Sequence, residues 1–336
     1  MRRYLPVLVF LALVLGSIGP GPEAAEKVKL SFGYTAFWGN FQYYYALQEG
    51  IVKAEGVDVD IKAMFPAELD KLLLTGSIDG GSMTIGSYLI ARERGLPVKA
   101  IATTSKDGTG SNVVIALKKS GLSSPKDLEG KQLGTLETVN MSTVVLKAVL
   151  RDLYKVDLSK VTLVVKDPPV LATLLSEGKI DAALLFSQFG ARFGHPSVGP
   201  PSPKYADYIQ MMNVSQDWAK MTGGPAPNWG VMVFQEKILK ERRQAVINLV
   251  KALRQSAAYY AGHEDEVLDA FMKKYGRGGG DRELLQAIRH VALNTFTLME
   301  AERRNIHRQM EYAKDQGLIK RSFTIDELFD PIAGEK

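Results

Sequence analysis

Leu69-Asp70-Lys71-Leu72-Leu73-Leu74-Thr75-Gly76-Ser77-Ile78-Asp79 returns as Leu171-Ala172-Thr173-Leu174-Leu175-Ser176-Glu177-Gly178-Lys179-Ile180-Asp181, at an offset of 102 residues. Three leucines mark a short amphipathic helix in each copy. The glycine can end that helix in a left-handed turn, and a strand follows it. Each copy comes after a β-rich run, Val57–Ile61 in one case and Val161–Val165 in the other. One strand–helix–glycine–strand unit written twice predicts two similar lobes. Asp79 and Asp181, matched between the copies, read as braces of the same turn rather than as catalytic acids.

Outward from the first copy, Val28–Tyr34 reads as a strand and Phe41–Ile51 as a helix, with Phe41, Tyr44, Leu47 and Ile51 on one stripe. Ile78–Thr84 and Val98–Thr104 are further strands with a helix between them. Strands separated by helices of this length indicate a layered, mostly parallel α/β sheet. The pattern restarts at Val113–Leu117. Ser124-Pro125-Lys126-Asp127 carries a helix-start signature, Gln132–Thr135 is a strand, and Ser142–Leu153 is a strongly amphipathic helix. Val161–Val165, apolar and β-branched, reads as a buried parallel strand. From about Gln235 the chain turns helical, interrupted at Gly276–Gly280, and the tail Phe323–Ile332 is expected against the first lobe.

The totals agree with two lobes, because 336 residues exceed what one core usually supports. The net charge is +5, falling to +4 without residues 1–25, and the densest basic stretch, Lys237 to Arg243, also holds Glu236 and Glu241. That is a solvated helix face, and nucleic-acid binding is not expected. The absence of cysteine excludes disulfides, a thiol nucleophile and a lipid anchor made on cysteine. Arg2 and Arg3 precede an apolar run, Leu5 to Leu15, and then Gly16, Pro20, Gly21, Pro22 and Ala24–Ala25. This is the pattern of a secretory signal peptide over residues 1–25, so the mature chain is expected outside the cytoplasm.

The order of Ala46-Leu47-Gln48-Glu49-Gly50-Ile51-Val52-Lys53-Ala54-Glu55-Gly56-Val57-Asp58-Val59, Gly76-Ser77-Ile78-Asp79-Gly80-Gly81 and Gly95-Leu96-Pro97-Val98-Lys99 is distinctive. Lys126-Asp127-Leu128-Glu129-Gly130-Lys131 and Gly178-Lys179-Ile180-Asp181-Ala182-Ala183 continue it. In these motifs the chain resembles the substrate-binding proteins of nitrate/sulfonate/taurine-type ABC importers, a family that includes binders of a thiamine pyrimidine precursor. The resemblance runs over roughly residues 27 to 330. It implies a type II periplasmic-binding-protein fold with two strands crossing between lobes, here near Asn112–Val114 and Trp229–Val233. Lobe one would be 27–112 plus 233–336, and lobe two 113–232. It also implies an ABC transporter permease in the membrane as partner, a monomer, and no cofactor or metal.

Ligands of open α/β sheets sit beyond the carboxyl ends of the strands. In lobe one these ends offer Tyr34, Phe37, Trp38 and Asn40, then Thr84 and Ser87, then Thr104. In lobe two they offer Thr138, Asn140, Ser142 and Thr143, and then Ser187 and Gln188; Trp229 lies at the second crossing. Hydroxyls, amides and aromatics without arginine suit a small oxyanion such as a sulfonate, nitrate or carboxylate, or a flat polar heterocycle such as a pyrimidine. Enzyme signatures do not emerge. His195, His263, His290 and His307 are scattered, and Gly108-Thr109-Gly110 lacks the third glycine of a dinucleotide loop. The competing reading is an enzyme on the same fold acting on a pyrimidine or menaquinone precursor. The pyrimidine-forming relatives use a cysteine-rich motif that this chain lacks.

Overall fold

The computed structural model describes residues 27–35, 38–104, 106–107, 112–136, 140–186, 207–276, 282, 285–286, 292–293 and 296–334. The expected leader, residues 1–25, lies outside them, as do Phe37, Thr138, Ser187 and Gln188. The first half contains β1 (Val28–Thr35), α1 (Trp38–Gln48), β2 (Val57–Met64), α2 (Pro66–Leu74), β3 (Gly80–Thr84), α3 (Ile85–Glu93), β4 (Val98–Thr103) and the short β5 (Lys106–Asp107). Next come β6 (Asn112–Leu117), β7 (Gln132–Thr135), α4 (Met141–Asp152), β8 (Thr162–Val165), α5 (Pro168–Ser176) and β9 (Ala182–Phe186). The remainder is β10 (Tyr208–Asn213), α6 (Val214–Thr222), β11 (Gly230–Gln235), α7 (Glu236–Glu241), α8 (Arg243–Tyr260), α9 (Glu264–Tyr275), β12 (Ala292–Leu293), α10 (Glu300–Asp315) and α11 (Ile325–Leu328).

Two five-stranded sheets result, ordered β2-β1-β3-β11-β4 and β10-β6-β9-β7-β8. They have the same plan. β1 lies parallel between β2 and β3, and β7 lies parallel between β8 and β9. The next strand in each sheet, β11 or β6, runs antiparallel to its neighbour. The sheets are therefore mixed, and four of the five strands in each point the same way, as expected of a mostly parallel sheet. β6 follows the strands of the first sheet, and β11 returns to that sheet after β10, so the chain passes between the sheets twice, as the fold requires. Val161–Val165 departs from expectation: β8 is an outer strand, and Thr162 and Val165 are exposed. A strand with one paired edge and one covered face cannot be as buried as its apolar run suggests.

The echo has a physical basis in both lobes. Gly76 and Gly178 adopt left-handed φ of 70° and 69°. After α2, Gly76 N–H donates to Leu73 O (3.2 Å) and Ser77 N–H to Leu72 O (2.9 Å). After α5, Gly178 N–H donates to Leu175 O (3.0 Å) and Lys179 N–H to Leu174 O (2.9 Å). Both pairs satisfy carbonyls that the helix end leaves open. Leu69 and Leu171 press onto Gly33 and Gly134: a Cβ there would come within 2.4 Å of Leu69 Cδ1 and 2.6 Å of Leu171 Cδ2. The aspartates match as well. Asp79 Oδ2 accepts from Ser31 N (2.8 Å) and Ser31 Oγ (3.0 Å), and Asp181 Oδ2 accepts from Gln132 N (2.8 Å).

The C-terminal helices belong to both sheets. Phe329 bridges Ala100 of β4, and Asp330 N–H donates to Ala100 O (2.8 Å). α10 instead lies on α4 and α6: Trp218 Nε1 donates to Asn305 Oδ1 (2.7 Å), and Arg151 pairs with Asp315 (2.7 Å). Ile306, Met310 and Ala313 continue the apolar core across the two lobes. Amphipathic spacing identifies the apolar face of such a helix but not which lobe covers it.

Candidate functional site

Pairing register aligns the carboxyl edge of the first sheet. Thr35 is level with Met64, and Thr84 lies opposite Gly230, the first residue of the antiparallel β11. Thr104 N–H donates to Gly230 O (3.0 Å), and Ile85 N–H donates to Trp229 O (3.1 Å). Asn40, Thr35, Thr84, Trp229 and Thr104 thus line one sheet edge, with the N-termini of α1 and α3 beside them. Trp38 opens α1. Asn40 is buried and donates through Nδ2 to Thr35 Oγ1 (2.8 Å). Tyr34 lies inside the lobe, stacked on Tyr44 at 4.4 Å, with its hydroxyl donating to Gln48 Oε1. Burial pushes its hydroxyl pKa far up, so it stays protonated.

At the start of α3, Thr84 is exposed and caps the helix: its Oγ1 accepts from Ser87 N (3.1 Å) and donates to Ser87 Oγ (3.0 Å). Behind them, burial raises the Asp70 carboxyl above the ordinary aspartate range, opposed by a hydrogen bond from the Ser87 hydroxyl. Asp70 was not among the candidates read from sequence. A signal was available, because the position matching Asp70 in the second copy is Ala172.

The second sheet's carboxyl edge holds Thr135, the start of α4 and Asn213. Asn140 caps α4, its Oδ1 accepting from Ser142 N (2.8 Å). Ser142 is buried; Thr143 is fully buried and donates to Leu136 O (3.3 Å). Thr135 Oγ1, also buried, has no hydrogen-bond partner in this structure. Its hydroxyl sits at the end of β7, where the chain leads into α4, and sequence reading missed it because it falls inside a strand. A helix N-terminus of this length attracts negative charge through its free N–H groups and dipole. Among the described residues no three His, Cys, Asp or Glu side chains gather as a metal site. Among them, too, no helix is long and apolar enough to cross a membrane.

The model of the family described as NMT1/THI5 like matches residues 40–267, more than half of the chain. The chain belongs to this family. No curated protein matches it by sequence. Among solved structures, the periplasmic aliphatic sulphonate binding protein SsuA from Escherichia coli is 12% identical with a TM-score of 0.72, covering 90% of this chain and 92% of that one. The alkanesulfonate-binding protein SsuA from Xanthomonas axonopodis pv. citri bound to MOPS is 16% identical with a TM-score of 0.68, covering 91% and 99%. A mutant of DSZB in complex with biphenyl-2-sulfinic acid is 12% identical with a TM-score of 0.66, covering 91% and 97%. At these identities the likeness establishes the two-lobed fold of this NMT1/THI5-like chain and nothing about its ligand.

Proposed function

We propose that this protein is an extracytoplasmic solute-binding receptor that carries a small molecule to an ABC importer. The observation that carries the reading is the doubled plan of the sheets. Each of two similar lobes turns a strand edge rich in hydroxyls and amides, with a helix N-terminus, toward the place where such folds hold ligands. The family match and the sulfonate-binding neighbours support it. Residues 1–25 act as the export leader, and the mature chain starts near Glu26. Lobe one is 27–112 plus 233–336 and lobe two is 113–232, with α10 of lobe one seated against α4 of lobe two. The protein works as a monomer, and its membrane partner is an ABC permease.

The ligand is a small oxyanion of the sulfonate, nitrate or carboxylate type, or a pyrimidine-like heterocycle. α4 and the hydroxyls of Ser142 and Thr135 receive its acceptor end, while the start of α1 at Trp38, with Asn40 and Thr84, forms the opposite wall. The DSZB neighbour favours a second reading, an enzyme on this fold, but this chain has no cysteine and so cannot use a thiol. Native mass spectrometry of protein purified from its own host tests the proposal. A retained small molecule that leaves unaltered, from a chain beginning near Glu26, is the expected result. A chemically converted product, or a full-length chain in the cytoplasm, would overturn it.

A further inference from the structure

α10 follows the second crossing, in the part of the chain that returns to the first sheet, yet its strongest bonds run to the second lobe. Buried Asn305 accepts from Trp218 Nε1 (2.7 Å) and donates to Ala226 O (2.7 Å). At the other end of the helix, Tyr312 donates to Asp152 Oδ2 (2.7 Å), Arg151 pairs with Asp315 (2.7 Å) and Gln316 Nε2 donates to Val144 O (2.8 Å). The Tyr312 ring meets fully buried Trp218 edge-on, with centroids 5.4 Å apart. Toward lobe one, the described polar contacts are weaker. Phe323 N–H points at the poor acceptor Met310 Sδ (3.1 Å), and Ser322 donates to Glu311 (2.7 Å) at an exposed position. Arg303 lies 3.8 Å from Asp326, whose side chain is 96% exposed, and such a pair holds a helix loosely. The chain on either side of α10 is nevertheless fixed to lobe one. Thr297 O accepts from Thr103 N (2.8 Å) and Thr103 Oγ1 (2.9 Å), and the Glu93 carboxylate accepts from Arg321 N (3.3 Å). Between these anchors and the helix lie Leu298–Met299 on one side and Gly317–Ile319 on the other, Gly317 with a left-handed φ of 77°.

We infer that α10 moves as part of lobe two, with Leu298–Met299 and Gly317–Ile319 acting as two further hinges beside the crossings at Asn112–Val114 and Trp229–Val233. Hinges form at the ends of elements, where a few residues absorb the change in φ and ψ while packed contacts keep their partners. Both linkers are of that kind. The Asn305–Trp218 bond is of the other kind, because breaking it would strand a buried amide and a buried indole N–H. The inference rests on the receptor reading above and redraws its moving parts: the body that swings against lobe one is 113–232 together with the helix from Glu300 to Gln316. Because Thr297 is bonded to Thr103 at the end of β4, the first of the added hinges starts beside Thr104, on the ligand edge of lobe one.

The chain has no cysteine, so pairs of spin labels can be placed without background. Lys71 on α2 and Thr173 on α5 are exposed and occupy matching positions in the two copies of the repeated unit, and Arg304 is exposed on α10. Double electron–electron resonance is read on the mature protein, stripped of small molecules by unfolding and refolding, in three variants: Lys71→Cys with Thr173→Cys, Arg304→Cys with Lys71→Cys, and Arg304→Cys with Thr173→Cys. The first pair spans the lobes and should give a broad distance distribution, as an open receptor samples its hinge motion. The Arg304 and Lys71 pair should be as broad. The Arg304 and Thr173 pair should be no more than about half as wide, since both labels ride on one body. A distribution for Arg304 and Thr173 as broad as that between the lobes overturns the inference and leaves the receptor reading standing, whether α10 proves fixed to lobe one or loose from both. Three equally narrow distributions mean that the lobes do not move, which counts against the receptor reading and takes this inference with it.

Discussion

Gln309 is fully buried on α10 and grips the chain at the second crossing between lobes. Its Oε1 accepts from Asn228 N (3.0 Å) and its Nε2 donates to Asn228 O (3.0 Å). Asn228 is itself buried and stands two residues before β11. One side chain therefore bonds to both the backbone N–H and the backbone C=O of Asn228. Gln309→Ala leaves a buried N–H and a buried C=O without their partner, at about 1–3 kcal/mol each. The expected loss is about 2–6 kcal/mol, and at about 2–4 °C per kcal/mol a fall in Tm of about 4–24 °C. Gln309→Glu refines the test. A carboxylate can accept from Asn228 N but faces Asn228 O with charge, whereas the protonated acid can donate to that oxygen. Burial raises the carboxyl pKa in the folded state, so the variant is most stable at low pH and loses stability as pH rises through that pKa. Thermal melts from pH 4 to 8, each compared with wild type, measure both effects. An alanine variant melting within about 1 °C of wild type, or a glutamate variant whose deficit does not grow with pH, refutes the view that Gln309 holds the crossing.

Other consequences follow from the paired features. Gly33→Val and Gly134→Val should each cost several kcal/mol in denaturant melts, because Leu69 and Leu171 already occupy the space a Cβ would need. Asp79→Ala should cost more than Asp181→Ala, by about 1 kcal/mol, since Asp79 takes the hydroxyl as well as the amide of Ser31. Asp70→Asn should raise Tm at neutral pH and change it little below pH 4. The Asp70 carboxyl is raised by burial, so its stabilising protonated form is lost as pH rises through the folded-state pKa; a Tm gain that persists at pH 3 would contradict this. Small-angle scattering should give a smaller radius of gyration when ligand saturates the protein, because hinge closure draws the lobes together. An unchanged profile would mean that the lobes do not close.

The repeated unit was readable because its physics is local. A left-handed glycine, a leucine stripe and a strand opened by Ile-Asp depend on neighbours in sequence, and both copies build the same turn with the same bonds. Long-range placement was not readable in the same way. The exposure of β8 depends on which strand lies outermost, which Thr162–Val165 cannot specify. The seat of α10 depends on Asn305, Gln309 and Gln316, amides whose partners Trp218, Asn228 and Val144 lie far off in sequence. Among candidate site residues, Asn140 and Thr84 stand at helix N-caps, where their types are favoured. Tyr34 and Thr143 are held inside the lobes by Gln48 and Leu136, partners that strand and helix periodicity do not identify.

The doubled plan also explains why Asp70 escaped notice. Matching the copies selects positions where they agree, and those positions build the scaffold: Gly76 with Gly178, Asp79 with Asp181, Leu69 with Leu171. A receptor that orients a ligand between two similar lobes cannot rely on positions the lobes share, since equal walls would accept either end. Orientation has to come from positions where the copies differ in charge or hydrogen-bonding sense. In the repeated helix, Asp70 against Ala172 is such a difference, and burial raises the Asp70 carboxyl above the ordinary aspartate range. The matched positions therefore mark residues that fold this protein, and the mismatched ones are where the two edges differ.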